Sequence, residues 1–300
     1  MKKTIIISIV TSTMLFSVPV VTNLSIEQTN KKDATQVDSS TVEQGKTDIT
    51  GDGTEVTNVG INSDSTINND TEILNDSEVR QGNTEIDNST VTNLKIESSN
   101  TISSTTADEG YAEQGTLLVT DSNASDSDVA NIDIQSTNII TNGEILSDSE
   151  AYQSYTEIAS DSTVNGLNLT QTNRMENTVA DDVSGIYQSY TFVNNSRLSN
   201  LTQTVINTIS NTVMQDSNIS YSGLEQANID ILNGSSVQTV NAIAINSIEG
   251  AITYDSVLKQ DGLYVDNSSV VNTLTINENN HLDNSNLDAG QLTQGNININ

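Results

Sequence analysis

The chain has no cysteine and no tryptophan, and one proline, Pro19, in 300 residues. Without cysteine there is no disulfide, thiolate nucleophile or thiolate metal site, an unusual condition for a small secreted domain. Beyond Pro19 nothing interrupts a backbone ladder, because proline is the residue that removes a ladder donor. Aromatics are only 3% of the chain, so an ordinary aromatic-rich core is excluded. Positive charge is scarce too: 10 Lys and Arg stand against 40 Asp and Glu, for a net charge of −30. After position 33 the cations are Lys46, Arg80, Lys95, Arg174, Arg197 and Lys259, scattered singly. No basic patch exists to neutralise phosphates, so nucleic acid and anionic membrane are excluded as partners. The single histidine, His281, lies between Asn280 and Leu282 and reads as a solvated side chain.

Long apolar runs are also missing beyond the first residues. Met1-Lys2-Lys3, then Thr4-Ile5-Ile6-Ile7-Ser8-Ile9-Val10 and Met14-Leu15-Phe16, have the charged start and short apolar core of a secretory signal peptide. The stretch is too short and too broken by Ser and Thr for a membrane span. The expected organisation is a leader over 1–26, a polar linker or arm over 27–40, and one repeat domain over 41–300. Export to the cell surface or extracellular space follows.

What the chain has is a repeat. Gln44, Gln81, Gln114, Gln153, Gln188, Gln226, Gln260 and Gln294 lie 33 to 39 residues apart in one frame. An apolar residue stands two before each, and apolar or Thr residues stand three and five after. Val79-Arg80-Gln81-Gly82-Asn83-Thr84-Glu85-Ile86 is one copy. A second piece has the form Val-x-Asn-apolar-x-apolar, as in Val56–Ile61, Val91–Ile96 and Val129–Ile134, with later copies drifting. A third piece begins six residues on, at Ile67, Ile102, Ile140, Met175, Ile209, Ile248 and Leu282. Asn100, Asn138, Asn173, Asn207, Asn246 and Asn280 stand two residues before six of these, and Ser65 before the first.

Alternation within each piece is that of half-buried strands. A single piece is too short to bury anything, so copies must stack. The expected fold is all-β: a parallel β-solenoid of about seven to eight coils, three short strands per coil, roughly 35 Å long at about 4.8 Å per coil. Stacking places equal residues above one another. Gln44 and its seven copies, with Asn58, Asn93, Asn131 and Asn200, are the expected ladder, since stacked amides can hydrogen-bond to one another. An inward amide without such a partner costs about 1–3 kcal/mol; amides that merely cap turns are the alternative. Tyr152-Gln153-Ser154-Tyr155 recurs as Tyr187-Gln188-Ser189-Tyr190, so Tyr152 should meet Tyr187 and Tyr155 meet Tyr190. Such a face suits sugar rings or lateral contact, and plain surface packing is the simpler reading.

The search for chemistry returns little. There is no nucleophile elbow, phosphate loop or zinc spacing, so an enzyme is not expected and no cofactor is implied. Asp121, Asp126 and Asp128, with Asp48, Asp52 and Glu55, offer oxygen ligands for calcium. They match neither the EF-hand loop nor a calcium-binding solenoid repeat, and solvated turns are the simpler reading.

Gln81-Gly82-Asn83 and Gln294-Gly295-Asn296 resemble the Gln-x-Gly-x-x-Asn pattern of curlin-type bacterial functional-amyloid subunits. That resemblance implies extracellular fibres and biofilm matrix. The repeat here is longer, Gly follows Gln directly, and the family's alternating Ala is absent. The sequence stops within the last glutamine strand, which makes Ile297 and Ile299 the expected polymerisation edge. The expected function is a secreted fibre subunit that self-associates end to end. The alternative is a monomeric adhesin or glycan-binding rod using Tyr152, Tyr155, Tyr187 and Tyr190. Expected partners are copies of itself, other fibre subunits or surface glycans.

Overall fold

The computed structural model describes residues 20–33, 36–38, 41–68, 71–74, 77–120, 129–146, 150–181, 185–215, 223–250, 252–254, 257–266, 268–288 and 291–299. It is all-β, a parallel β-solenoid of about six turns. Leader residues 1–19 and the acidic cluster Asp121, Asp126 and Asp128 lie outside the described residues.

One turn runs as follows. A short strand carries the glutamine, as in Tyr111–Gln114. A corner follows at Gly115, with φ +66°. A second short strand, Leu117–Thr120, leads to the long strand Val129–Thr141, and Glu144–Leu146 completes the turn. In the next turn these become Glu150–Gln153, Thr156–Ile158, Thr163–Glu176 and Val179–Asp181. Among the described residues the pairings between turns are parallel and residue-on-residue, for example Ile132 on Leu167 and Ile140 on Met175, with a register shift between Thr50 and Thr54.

This differs from the expected three pieces in two ways. The second and third pieces are one strand: after the corner at Asn131, inward residues alternate without a break from Ile132 through Ile134, Ser136 and Asn138 to Ile140. Small polar side chains continue the inward face where apolar ones were expected to stop. A separate eight-stranded sheet, from Gln36–Asp38 to Asn286–Asp288, was not anticipated.

The N-terminal boundary also moves. Val20–Thr22 and Ser25–Asp33 pair in register with Glu55–Thr57 and Gly60–Asn68. The described solenoid therefore reaches back to Val20, within the span read as leader and arm. The signal was present: Val21-Thr22-Asn23-Leu24-Ser25-Ile26 repeats Val56-Thr57-Asn58-Val59-Gly60-Ile61 at an offset of 35 residues. The apolar start of the chain hid it.

Two apolar columns run along the rod. The larger combines rows such as Ile86, Val119, Ile158, Val193 and Ile231 with Leu94, Ile132, Leu167 and Leu201. The smaller joins Ile67, Ile102, Ile140, Met175, Ile209 and Ile248 to Val79, Ala112, Ala151 and Ile186. Full burial of each Ile, Leu, Val or Met among them contributes about 1.5–3 kcal/mol.

Candidate functional site: the amide rows and the tyrosine face

The buried glutamine and asparagine rows are polar. All eight glutamines join one continuous chain of side-chain hydrogen bonds. Each Nε2 donates to the Oε1 one turn nearer the N-terminus: Gln81 to Gln44 at 2.9 Å, Gln114 to Gln81 at 3.0 Å, Gln153 to Gln114 at 3.1 Å and Gln188 to Gln153 at 2.8 Å. Gln226, Gln260 and Gln294 continue it at 2.7, 3.0 and 2.6 Å. The Nε2 atoms of Gln114 and Gln153 also donate to the backbone carbonyls of Ile139 and Arg174. A carbonyl only accepts, so it fixes which end of the amide is nitrogen.

A second buried row lies beside the first. Asn100 donates to Asn138, Asn138 to Asn173, Asn173 to Asn207, Asn207 to Asn246 and Asn246 to Asn280, at 2.8–2.9 Å. Here the donors point toward the C-terminal turns, opposite to the glutamines. The glutamine corner faces this row. A Cβ on Gly82 would sit 2.7 Å from the Asn100 amide, which is why the corner is glycine there. Two and three turns on, serine replaces glycine: Asn138 Nδ2 donates to Ser154 Oγ, and Asn173 Nδ2 to Ser189 Oγ, both at 2.7 Å.

Of the asparagines expected in the ladder, Asn58, Asn93 and Asn131 form a different, exposed row. They take φ of +54° to +56° at a corner. Asn58 donates to Asn23, Asn93 to Asn58 and Asn131 to Asn93. Gly166, with φ +78°, takes that corner in the next turn and has no amide to pass on. Asn200 is exposed opposite Thr239 and stands apart from these bonds. The internal row was visible in the sequence only as the fixed offset of Asn100 and its copies from the third-piece apolar residues.

The tyrosines meet as expected. Tyr152 and Tyr187 stack with centroids 4.5 Å apart and planes at 10°, and Tyr155 and Tyr190 at 5.8 Å and 11°. Tyr111 extends the first stack at 5.2 Å, a partner not foreseen because its turn lacks the Tyr-Gln-Ser-Tyr pattern. All are half-buried. Tyr152 and Tyr155 donate to Glu150 and Glu157, each at 3.1 Å, and Tyr190 donates to Asp230. Burial, reinforced by neighbouring carboxylates, pushes the phenols of Tyr111, Tyr152 and Tyr155 far above their usual range, so they remain donors.

Below the tyrosines is a groove of about 250 Å³, lined by Lys46, Arg80, Asn83, Thr116 and Glu113 and walled by Tyr111, Tyr152 and Tyr155. Arg80 lies 3.2 Å from Glu78, 3.3 Å from Glu113 and 3.7 Å from Glu43. Lys46 is similarly placed among Glu43, Asp48 and Glu85 at 3.2–3.5 Å. Burial pushes the Glu113 carboxyl up, opposed by Tyr111, Arg80 and Asn83.

Asp48 and Glu55 are exposed side chains, and Asp52 lies in the strand Thr47–Asn68. Among the described residues no group of three or more His, Asp or Glu is placed to hold a metal ion. Ile297 and Ile299 are 53% and 65% exposed on the strand Gln291–Ile299. No helix among the described residues is long and apolar enough to cross a membrane.

No family model, curated protein or solved structure matches this chain, and nothing in these comparisons links it to the curlin-type proteins.

Proposed function

We propose that the chain is an exported, non-enzymatic structural repeat protein, a subunit of an extracellular surface or biofilm-matrix fibre that grows by end-to-end β-stacking. The observation that carries the reading is the match between the outermost rows. At one edge the inward positions are Val21, Ile26 and Asn30; at the other, Val271, Ile276 and Asn280 occupy the same rows. Val20, Leu24, Val270, Ile297 and Ile299 are 40% or more exposed along these edges. A second copy placed in register would cover them and pair edge groups that otherwise invite association. Among the described residues, Val20–Asp33 supplies a long-strand wall at one edge, and Gln291–Ile299 supplies a glutamine wall at the other.

Counting part-turns, the proposed rod has seven to eight coils. It has three strands per coil when the two strands flanking the glutamine corner count as one bent strand. Leader removal ahead of Val20 keeps the first wall whole; a cut after residue 26 would break it.

Electron microscopy and fibre diffraction of purified protein at neutral pH test the reading. Filaments with a meridional spacing of about 4.8 Å, with seeded growth slowed by deleting 291–300, support it. Persistent monodisperse rods overturn it. A second reading, a monomeric rod that binds glycans, is favoured by the paired tyrosine stacks.

A further inference from the structure

The tyrosine stack stops abruptly, and what lies under its last ring has the chemistry of a binding site. Backbone hydrogen bonds between consecutive turns set Asn83, Thr116, Tyr155 and Tyr190 above one another at the glutamine corner: Thr84 N donates to Thr116 O, Leu117 N to Tyr155 O, and Thr156 N to Tyr190 O. One ring face of Tyr155 is covered by Tyr190. The residue one turn down is Thr116, which is too small to cover the other face. The groove of about 250 Å³ is that step. It is smaller than the roughly 300–1,000 Å³ of a drug-sized pocket, which sizes it for a single ring.

Three features select the ligand. The first is the flat apolar face of Tyr155, edge-on to Tyr152 at 5.4 Å and so held rigidly. The second is unused hydrogen-bonding capacity. Thr116 is only 8% exposed and its Oγ1 has no hydrogen-bond partner; Arg80 Nε is buried and, despite lying 3.3 Å from Glu113, makes no hydrogen bond. Orphaned buried polar atoms are costly; both residues line the groove, and rotation of the Thr116 side chain about χ1 would bring its hydroxyl out to a ligand hydroxyl that satisfies it. The third is charge balance. Each cation in the groove already faces three carboxylates, so neither a phosphate nor an acidic sugar finds a free partner. What remains is a neutral ring with one apolar C–H face and a rim of hydroxyls.

We propose that the step beneath Tyr155 binds a neutral hexopyranose, with its C–H face on the Tyr155 ring and its hydroxyls on Thr116, Asn83 and Arg80. This rests on the glycan-binding reading for the ligand class and moves the site from the outward tyrosine rows to the place where they end.

The test uses the full chain and a panel of glucose, galactose, mannose and N-acetylglucosamine, each free and as a short oligosaccharide. Saturation-transfer NMR reads the ligand, and intrinsic tyrosine fluorescence, undisturbed by tryptophan, reads the protein. The expected result is saturable binding of at least one sugar, with strongest transfer to the protons of one ring face. Thr116→Val removes a hydroxyl that has no partner in the unliganded protein. It should raise the unfolding midpoint of the unliganded protein and weaken binding roughly 3- to 10-fold. Thr116→Tyr continues the existing stack by one ring, fills the step and should abolish binding while keeping the fold. Undiminished binding by Thr116→Tyr, with loss in Tyr187→Ala and Tyr190→Ala, overturns this site and leaves the broader glycan reading standing. Absence of saturable binding across the panel overturns both.

Discussion

The internal asparagine row has one gap, and filling it should stabilise the protein. Ser65 occupies the rung below Asn100 and above Asn30. The two atoms that face this gap, Asn30 Nδ2 and Asn100 Oδ1, are buried without hydrogen-bond partners. They are one donor and one acceptor, oriented as the row requires. The substitution Ser65→Asn supplies an amide that accepts from the first and donates to the second. The corner opposite is Gly45, with φ +66°, the same accommodation that Gly82 gives Asn100. Each orphan costs about 1–3 kcal/mol. Ordering the longer side chain costs up to about 1 kcal/mol, and the long Ser63–Ser65 contact at 3.5 Å is a small loss. The expected gain is about 1–5 kcal/mol in urea unfolding, with a midpoint about 2–10 °C higher on heating. A gain below about 0.5 kcal/mol, or a loss, would refute the reasoning. It would mean that water already satisfies the gap or that the amide cannot fit beneath Gly45.

The converse change should be costly. Gln153→Leu orphans Gln114 Oε1 and Gln188 Nε2, both in fully buried residues, and should lose about 2–6 kcal/mol, whereas Gln294→Leu removes the donor of Gln260 Oε1 alone and should lose about half as much, about 1–3 kcal/mol; equal losses in denaturant titrations would show that the row is not what the glutamines contribute. At Asp266, hydrogen bonds from the Ser269 hydroxyl and the Asn233 N–H hold the carboxyl down at about 2. A depressed carboxyl stabilises above its unfolded value of about 3.9 and loses that contribution as pH falls toward 2, so NMR titration should place its midpoint near 2, and Asp266→Asn should remove this component from acid unfolding; a midpoint near 4 refutes it.

Much of this fold was legible because a solenoid writes its register into the sequence. The glutamine frame and the offset to Ile102 and its copies mark residues that stack, and equal spacing is what stacking demands. The long strand was misread because Ser136 and Asn138 look like a turn. Their alternation is visible, but that they point inward depends on partners such as Ser154, which lies 18 residues from Ser136. The first wall was missed because Val21–Ile26 directly follows an apolar segment with its own explanation. The groove under Tyr155 could not be read from pattern, since it arises where a row changes from Thr116 to Tyr155, and a small residue in a repeat reads as drift. Asn58, Asn93, Asn131 and Asn200 were chosen for their motif, but motif position alone does not distinguish an amide at an outer corner from one inside.

The opposed directions of the two buried amide rows have an electrical consequence. Each primary amide has a dipole comparable to a peptide unit, about 3.5 D. Stacked head to tail, a row behaves like a helix, with partial charge accumulating at its ends. The glutamines and the internal asparagines point opposite ways through the same low-dielectric interior, so their fields largely cancel along the axis. Within either row, a single amide cannot turn over without breaking the bonds above and below it. Direction is therefore a property of the row as a whole, set once for the length of the rod.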